Sequence, residues 1–147
     1  MRTALDDALK EFWRTETTLT DLVPYANVYT GALPQRAGWP NVLITVITET
    51  PEMSTKTDYL HVELLQVGCR SKTKATAKEI REAVDIFFGG REVPVNIDLG
   101  YDAIPHCDYL MSLTKVGGNR ILEPDDMWHF YSEFEATIGR QVHEGIN

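Results

Sequence analysis

Residues 58–88 read DYLHVELLQVGCRSKTKATAKEIREAVDIFF, and this stretch decides the fold expected for the chain. Over residues 58–70 the side chains alternate between two faces with a period of two, which is typical of a long β-strand. From about Lys74 to Phe88 the apolar residues recur at helical spacing, which predicts an amphipathic helix. The glycine pair at 89–90 predicts the end of that helix. A long strand is therefore expected to lead directly into a helix.

Four further segments have recognisable periodicity. Residues 3–22 carry apolar side chains at three- and four-residue steps and predict a second amphipathic helix. Residues 42–48, VLITVIT, are β-branched and apolar on both faces, which predicts a strand inside the sheet. Residues 108–122 predict a hairpin that turns at Gly117 and Gly118. Residues 128–138 alternate between apolar and polar side chains and predict a strand with one buried face.

The order of these segments favours one architecture. The chain shows no alternating β-α-β order, no internal repeat and no linker, so residues 1–147 are predicted to form a single domain. We expect an α+β fold, with one mixed, mainly antiparallel sheet and two helices packed on one of its faces. The polar segment 49–57 is predicted to be a flexible loop, and a short C-terminal tail is expected from about residue 139.

Charge is unevenly distributed along the chain. The formal net charge is −8, with −4 in residues 1–69, +3 in residues 70–91 and −7 in residues 92–147. Such an acid surplus argues against a protein that grips nucleic acid, because that affinity comes mainly from Lys and Arg. No apolar run is long enough to span a membrane, and acids stand where a signal peptide would be apolar. We expect the chain to fold in the compartment where it is made.

Only one group of residues suggests a metal site. His61 and Glu63 stand two apart on the predicted strand, so they share a face, and His106, Cys107 and Asp108 could supply further ligands. None of these spacings is a conventional ligand spacing, which favours two unrelated polar patches over a metal site.

Nucleophilic catalysis has still less support. No Gly-x-Ser-x-Gly elbow is present, and neither Cys69 nor Cys107 lies in a catalytic or ligand motif. Both cysteines are expected to be small buried residues without a disulfide. Gly89-Gly90 and Gly117-Gly118 lack the strand-to-helix context of phosphate-binding loops. The sequence therefore predicts no catalytic residue, no cofactor and no metal, and favours a protein that acts by assembly.

Two features could mark contact surfaces. Lys72, Lys74, Lys78 and Arg81 could contact nucleic acid or an acidic partner, although a solvated helix face is the favoured interpretation. Trp39 stands beside prolines in a loop and is either a core or sheet-edge aromatic or the anchor of an interface, where Trp is enriched.

The order of segments also resembles a known family. Helix 3–22, then VYTGALP at 28–34 and WPNVLITV at 39–46, is similar to the tail terminator proteins of tailed bacteriophages. The long strand running into the helix at 58–88 and the alternating strand at 128–138 extend that resemblance. Its most specific element is the short Tyr-x-Gly-x-x-Pro segment from Tyr29 to Pro34.

The resemblance implies a structural function in the virion. Tail terminator proteins form a ring, usually of six subunits, on the head-proximal end of the tail tube. The ring stops polymerisation of the tube and presents a surface to the head-side connector, while DNA passes through the lumen without specific binding. The chain would then be assembled in the host cytoplasm, with the tube protein and the connector as partners and no membrane association.

Two other functions stay open at this point. One is another neck component of related fold, such as a connector, head-completion or tube protein. The other is a small metal- or ligand-binding α+β enzyme that uses His61, Glu63 and His106.

Two sets of residues are the candidates for assembly. The expected contacts to a neighbouring subunit or to the tube are Trp39, Glu49, Glu52, Met53, Lys56 and Asp58. The expected acidic surface, past which DNA would slide without sticking, consists of Glu123, Asp125, Asp126, Glu133 and Glu135.

Overall fold

The computed structural model describes residues 4–54, 58–89, 98–103, 106–123 and 127–142. Over these residues the chain forms three α-helices, a short 3-10 turn at Tyr25–Asn27 and six β-strands. In chain order they are α1 (Leu5–Thr15), α2 (Thr17–Leu22), β1 (Val28–Thr30), β2 (Asn41–Ser54), β3 (Asp58–Ser71), α3 (Lys74–Gly89), β4 (Asp98–Ala103), β5 (His106–Glu123) and β6 (Met127–Val142).

The strands form one sheet in the order β1-β2-β3-β6-β5-β4. Neighbouring strands are antiparallel except β1 and β2, which run parallel. The prediction of one mixed, mainly antiparallel sheet is therefore confirmed. β1 covers β2 at Val42–Ile44, so the predicted interior position of residues 42–48 is confirmed for that part of the strand. α3 follows β3 directly.

The core lies between the helices and one face of the sheet. α3 buries Ala77, Ile80, Val84 and Phe88, which is the helical stripe that the sequence predicted. The same cluster includes residues of α1, β2, β3, β5 and β6, so the helices share one face. We call this the helix-bearing face, and the opposite side of the sheet the helix-free face. Representative buried residues are Leu9, Trp13, Ile44, Leu65, Val67, Leu110, Phe134 and Ile138.

Phe88 is the meeting point of this core. Its ring centroid lies 6.0 Å from that of Phe12, 6.3 Å from that of Trp13 and 6.0 Å from that of Phe134. The contacts to Trp13 and Phe134 are edge-on, an arrangement that aromatic quadrupoles favour. One side chain thus joins α1, α3 and β6.

The predicted helix 3–22 is broken in two. Glu16 has φ −105° and ψ 107°, which are extended values, and separates α1 from α2. The Thr15 hydroxyl donates a hydrogen bond to the Phe12 carbonyl at 2.7 Å, a local bond that competes with helix continuation. The break lets the chain return to α1, where the buried Trp13 indole N–H donates to the Val23 carbonyl at 3.0 Å.

Two segments that were expected to be irregular belong to strands. Residues 49–54 were predicted to be part of a flexible loop, but they lie in β2 and pair with residues 59–63 of β3. Residues 139–142 were predicted to begin a tail, but they lie in β6, where residues 139–141 pair with both β3 and β5 and Val142 pairs with β5. In both places backbone pairing overrides the polar local composition. Residues 55–57 and 143–147 lie outside the described residues.

The predicted turn at Gly117 and Gly118 is wrong. β5 runs continuously from His106 to Glu123, with Gly117 opposite Glu133 and Gly118 opposite Ser132. A register shift next to these glycines marks a bulge. A Cβ on Gly118 would lie 2.6 Å from the Tyr131 carbonyl oxygen, so glycine allows the two strands to approach closely.

The core predicts a large cost for truncating Phe88. Phe88→Ala should lower the free energy of unfolding by about 3–5 kcal/mol, because it removes a fully buried ring and leaves a cavity. Ile86→Ala on the same helix is the matched control, since Ile86 is 53% exposed. Urea denaturation of both variants tests this, and equal losses of stability would show that Phe88 does not anchor the core.

Candidate functional site

The loop between β1 and β2 is held near both of its ends. Gly31 opens it with φ 79°, a left-handed conformation that glycine adopts without strain, and its N–H donates to the Ile44 carbonyl at 3.1 Å. Towards the other end, the Gly38 N–H donates to the Tyr29 hydroxyl at 3.1 Å. Tyr29 and Gly31 both belong to the Tyr-x-Gly-x-x-Pro segment, so two of its residues shape this loop.

Two asparagines complete the end of the loop. The Asn41 side-chain amide donates to the Gly38 carbonyl at 2.8 Å, and the Asn27 amide donates to the Pro40 carbonyl at 3.2 Å. A Cβ on Gly38 would overlap the Asn27 side chain, so the loop packs closely there. Trp39 lies between these fixed points with 41% of its surface exposed. The loop therefore presents a large aromatic side chain from a held backbone.

Two lysines lie over tryptophan rings at this end of the sheet. The Lys72 ammonium is 5.9 Å from the Trp39 ring centroid, and the Lys74 ammonium is 5.4 Å from that of Trp128. Both distances are within the range of a cation–π attraction. The contacts arise because β3 ends opposite Trp128 and leads straight into α3.

The pattern continues along β6. The rings of Trp128 and Phe130 are 6.4 Å apart, and the Arg81 guanidinium lies 6.0 Å from the Phe130 centroid. Lys78 and Arg81 also line a shallow cleft of about 240 Å³. We call the connected set of Trp39, Lys72, Lys74, Trp128, Phe130 and Arg81 the cation–aromatic row.

Glu133 and Glu135 lie on the other side of the sheet from this core. They alternate along β6 with the buried Ser132, Phe134 and Ala136, so they project from the helix-free face. Glu133 is opposite Gln66 and Glu135 is opposite Leu64 on β3. The structure thus brings these two predicted acids together on one face.

Glu123, the other acidic candidate whose position is described, does not lie beside Glu133 and Glu135. Glu123 ends β5 opposite Met127, at the end of the sheet near Trp128 rather than midway along β6. Asp125 and Asp126 lie outside the described residues.

The predicted contact residues also lie in different parts of the sheet. Glu49, Glu52 and Met53 lie in β2, and Asp58 begins β3, while Lys56 lies outside the described residues. Met53 is twelve positions from Asn41 along β2, about 40 Å at the usual rise of a strand. Trp39 and the far end of the β2–β3 pair therefore form two separate regions.

Asp85 is the centre of a polar cluster beneath α3. The Ser132 hydroxyl donates to Asp85 Oδ1 at 2.6 Å, and the Lys115 ammonium contacts Oδ2 at 2.7 Å. Arg81 Nε is 3.9 Å from the same oxygen. The carboxylate is thus engaged by one residue from each of α3, β5 and β6. This arrangement fixes the helix on the sheet.

Cys69 is buried within the core, as predicted. Burial raises the pKa of its thiol well above the ordinary value, and the nearby Asp85 carboxylate raises it further. The sulfur therefore stays protonated at neutral pH and is a poor nucleophile. The side chain of Cys107 lies outside the described part of the structure.

Of the hypothetical metal ligands, His61 and Glu63 stand two positions apart on β3, but the sheet does not bring His106 beside them. Glu63 is buried on the helix-bearing face, and His61 is opposite Ile138, which in turn is opposite Leu110. His106 lies four positions further along β5, about 13 Å away along the strand. Within the described residues there is no group of three or more His, Cys, Asp or Glu suited to a metal ion. In the same part of the chain, every helix is too short or too polar to cross a membrane.

Comparison with known proteins gives a structural likeness. No protein-family model matches the chain, and no curated protein matches it by sequence. Among solved structures, a chain of the virion of a native gene transfer agent particle is similar with a TM-score of 0.66 and 23% identity, covering 92% of this chain and 95% of that chain. A second solved chain has 13% identity and a TM-score of 0.41 over 95% of this chain and 91% of that chain, which is a weak likeness. The first comparison shows a shared fold.

The loop contacts predict a local effect of removing the Tyr29 hydroxyl. Tyr29→Phe should speed hydrogen exchange at the Gly38 amide and cost about 0.5–1.5 kcal/mol of stability, because one hydrogen bond is lost. Tyr25→Phe is the control, since the Tyr25 hydroxyl bonds to Glu11 instead. If Gly38 exchange is the same in the two variants, the hydroxyl does not hold the loop.

The buried thiol predicts selective protection. At about pH 8.5, the ordinary thiol pKa, Cys69 should remain unalkylated by iodoacetamide in the folded protein and react after denaturation. Peptide mass spectrometry reads out each cysteine separately. Alkylation of Cys69 in the folded protein at the rate of a free thiol would contradict the described burial.

Proposed function

We propose that this chain is a structural virion protein of a phage-like particle that caps the tail tube as a ring of six subunits. In this function the ring stops tube polymerisation and joins the tail to the head-side connector. The observation that carries the proposal is the shared fold with the gene transfer agent virion chain, which extends over nearly the whole length of both chains. The proposed location is the head-proximal end of the tail. Residues 1–147 are proposed to fold as one domain, and the particle to be assembled in the host cytoplasm.

The edges of the sheet support assembly with neighbours. β1 pairs only with Val42–Ile44, so within the described residues the outer edge of β2 carries no strand from Thr45 to Ser54. β4 pairs only with residues 106–109 of β5. Open edges offer backbone hydrogen-bonding groups to another chain. β3 is interior, between β2 and β6, so the open edge on this side of the sheet belongs to β2.

Trp39 is the proposed anchor to a neighbouring subunit or to the tube. It is exposed, large and held by a loop with several hydrogen bonds, and rigid aromatic anchors contribute strongly to interfaces. The far end of the β2–β3 pair, with Glu49, Glu52, Met53, Lys56 and Asp58, is proposed as a second contact region.

Acidic residues are proposed to form a surface past which DNA moves, because a wall of like charge does not bind phosphates. Glu123, Asp125 and Asp126 are proposed for that surface. Glu133 and Glu135 project from the helix-free face midway along β6, apart from Glu123, and stay outside it. Replacing Glu123 by Gln and Asp125 and Asp126 by Asn should slow DNA ejection from particles, whereas unchanged ejection kinetics would remove this part of the proposal.

Location in the particle tests the function and separates it from the alternatives. Without the gene, electron microscopy should show tubes of uncontrolled length that are not joined to heads. A label on the protein should lie at the head-proximal end of the tail. A label along the tube would instead indicate a tube protein, and a label on the head portal a connector. Normal, joined tails in the absence of the protein would overturn the proposal.

Trp39 provides a residue-level prediction. Trp39→Ala should weaken incorporation into tails by about 30-fold, which corresponds to the roughly 2 kcal/mol of an interface hot spot. Ile86→Ala removes a comparably exposed apolar side chain from α3 and is the matched control. Quantitative immunoblotting of purified tails measures incorporation, and equal incorporation of the two variants would exclude Trp39 as an anchor.

A further inference from the structure

Arg81 of the row lies 3.9 Å from the Asp85 carboxylate, but the two lysines of the row are in a different condition. Lys72 and Lys74 are exposed and lie over tryptophan rings, and among the described residues neither is in an ion pair. Other cations are paired: Arg14 contacts Glu11 at 3.1 Å, and Lys115 contacts Asp85 at 2.7 Å. The two lysines therefore form a positive, partly aromatic surface that is in no ion pair with the described residues.

The acids of the helix-free face carry the opposite charge and are also not in ion pairs with the described residues. Glu133 and Glu135 are two positions apart on β6, about 7 Å, and neither forms an ion pair with another described residue. Glu133 is also five positions from Trp128, about 17 Å along the strand. The lysines and these acids thus lie too far apart to pair within one chain.

The net charge of segments of the sequence shows the same separation of basic from acidic residues. Residues 70–91 carry a net charge of +3 in a chain whose total is −8. A nucleic acid that approached the row would meet the repulsion of the acidic remainder of the chain. A second copy of the chain would instead bring an acidic sheet face to a basic, aromatic end.

We propose that the Lys72–Lys74 part of the cation–aromatic row of one copy docks on the Glu133–Glu135 face of the next copy. This inference rests on the proposed ring, because a ring closes through two different, complementary surfaces on the same chain. Trp39 and Trp128 supply the apolar centre of the contact, and the lysines and glutamates set its register. Every copy then offers one surface of each kind.

Charge reversal and its rescue test the contact directly. K72E/K74E and E133K/E135K should each raise the dissociation constant between copies at least about tenfold, because like charges then face each other. The quadruple variant should restore association, since each copy carries both reversed surfaces. D21K reverses an exposed charge on α2 and should leave association unchanged. Sedimentation velocity of the purified full chain, at low and high salt, measures each variant.

Each outcome decides the inference. Rescue by the quadruple variant, with weaker association of wild type at high salt, supports it. A quadruple variant that associates no better than either double variant overturns it, as does a wild-type chain that is monomeric at every concentration. Failure of this contact is distinguishable from failure of the proposed function. If the protein lies at the tail end but the charge reversals do not change association, only this contact is wrong. If the protein is absent from tails, the proposed function is wrong.

Discussion

The contact of Phe88 with Phe12, Trp13 and Phe134 is the interaction on which the rest of the structure depends. It holds α1 and α3 on the same side of β6, and burial of a ring typically contributes more to stability than a single hydrogen bond. The buried stripes of α1 and α3 both pack on that side, and the opposite sheet face carries no helix within the described residues. One-sided burial is therefore what leaves a face and two edges free for partners.

The polar groups near the core also stabilise the fold. Asp85 contacts Ser132 and Lys115, so its carboxylate fastens α3 to two strands. Cys69 is buried beside it and protonated, since burial raises the pKa of its thiol. Both groups stabilise the fold, and the surfaces suited to function are on the outside.

Those outer surfaces differ in chemistry and position. One end of the sheet presents Trp39 with Lys72 beside it, and the middle of the helix-free face presents Glu133 and Glu135. A protein with two unlike surfaces of opposite charge is suited to repeated head-to-tail association between copies, as the proposed contact requires.

The sequence by itself determined the elements whose periodicity is local. The stripe of α3, the strand at 42–48 and the alternation of β6 follow from neighbouring residues. The same alternation places Glu133 and Glu135 together on one face of the sheet. Only the tertiary structure decided that residues 49–54 and the Gly117-Gly118 pair continue strands, and that Trp39 meets Lys72. These features depend on register between strands and on contacts between residues distant in sequence. Backbone pairing with a distant strand there outweighs the local preference of polar residues and glycines for turns.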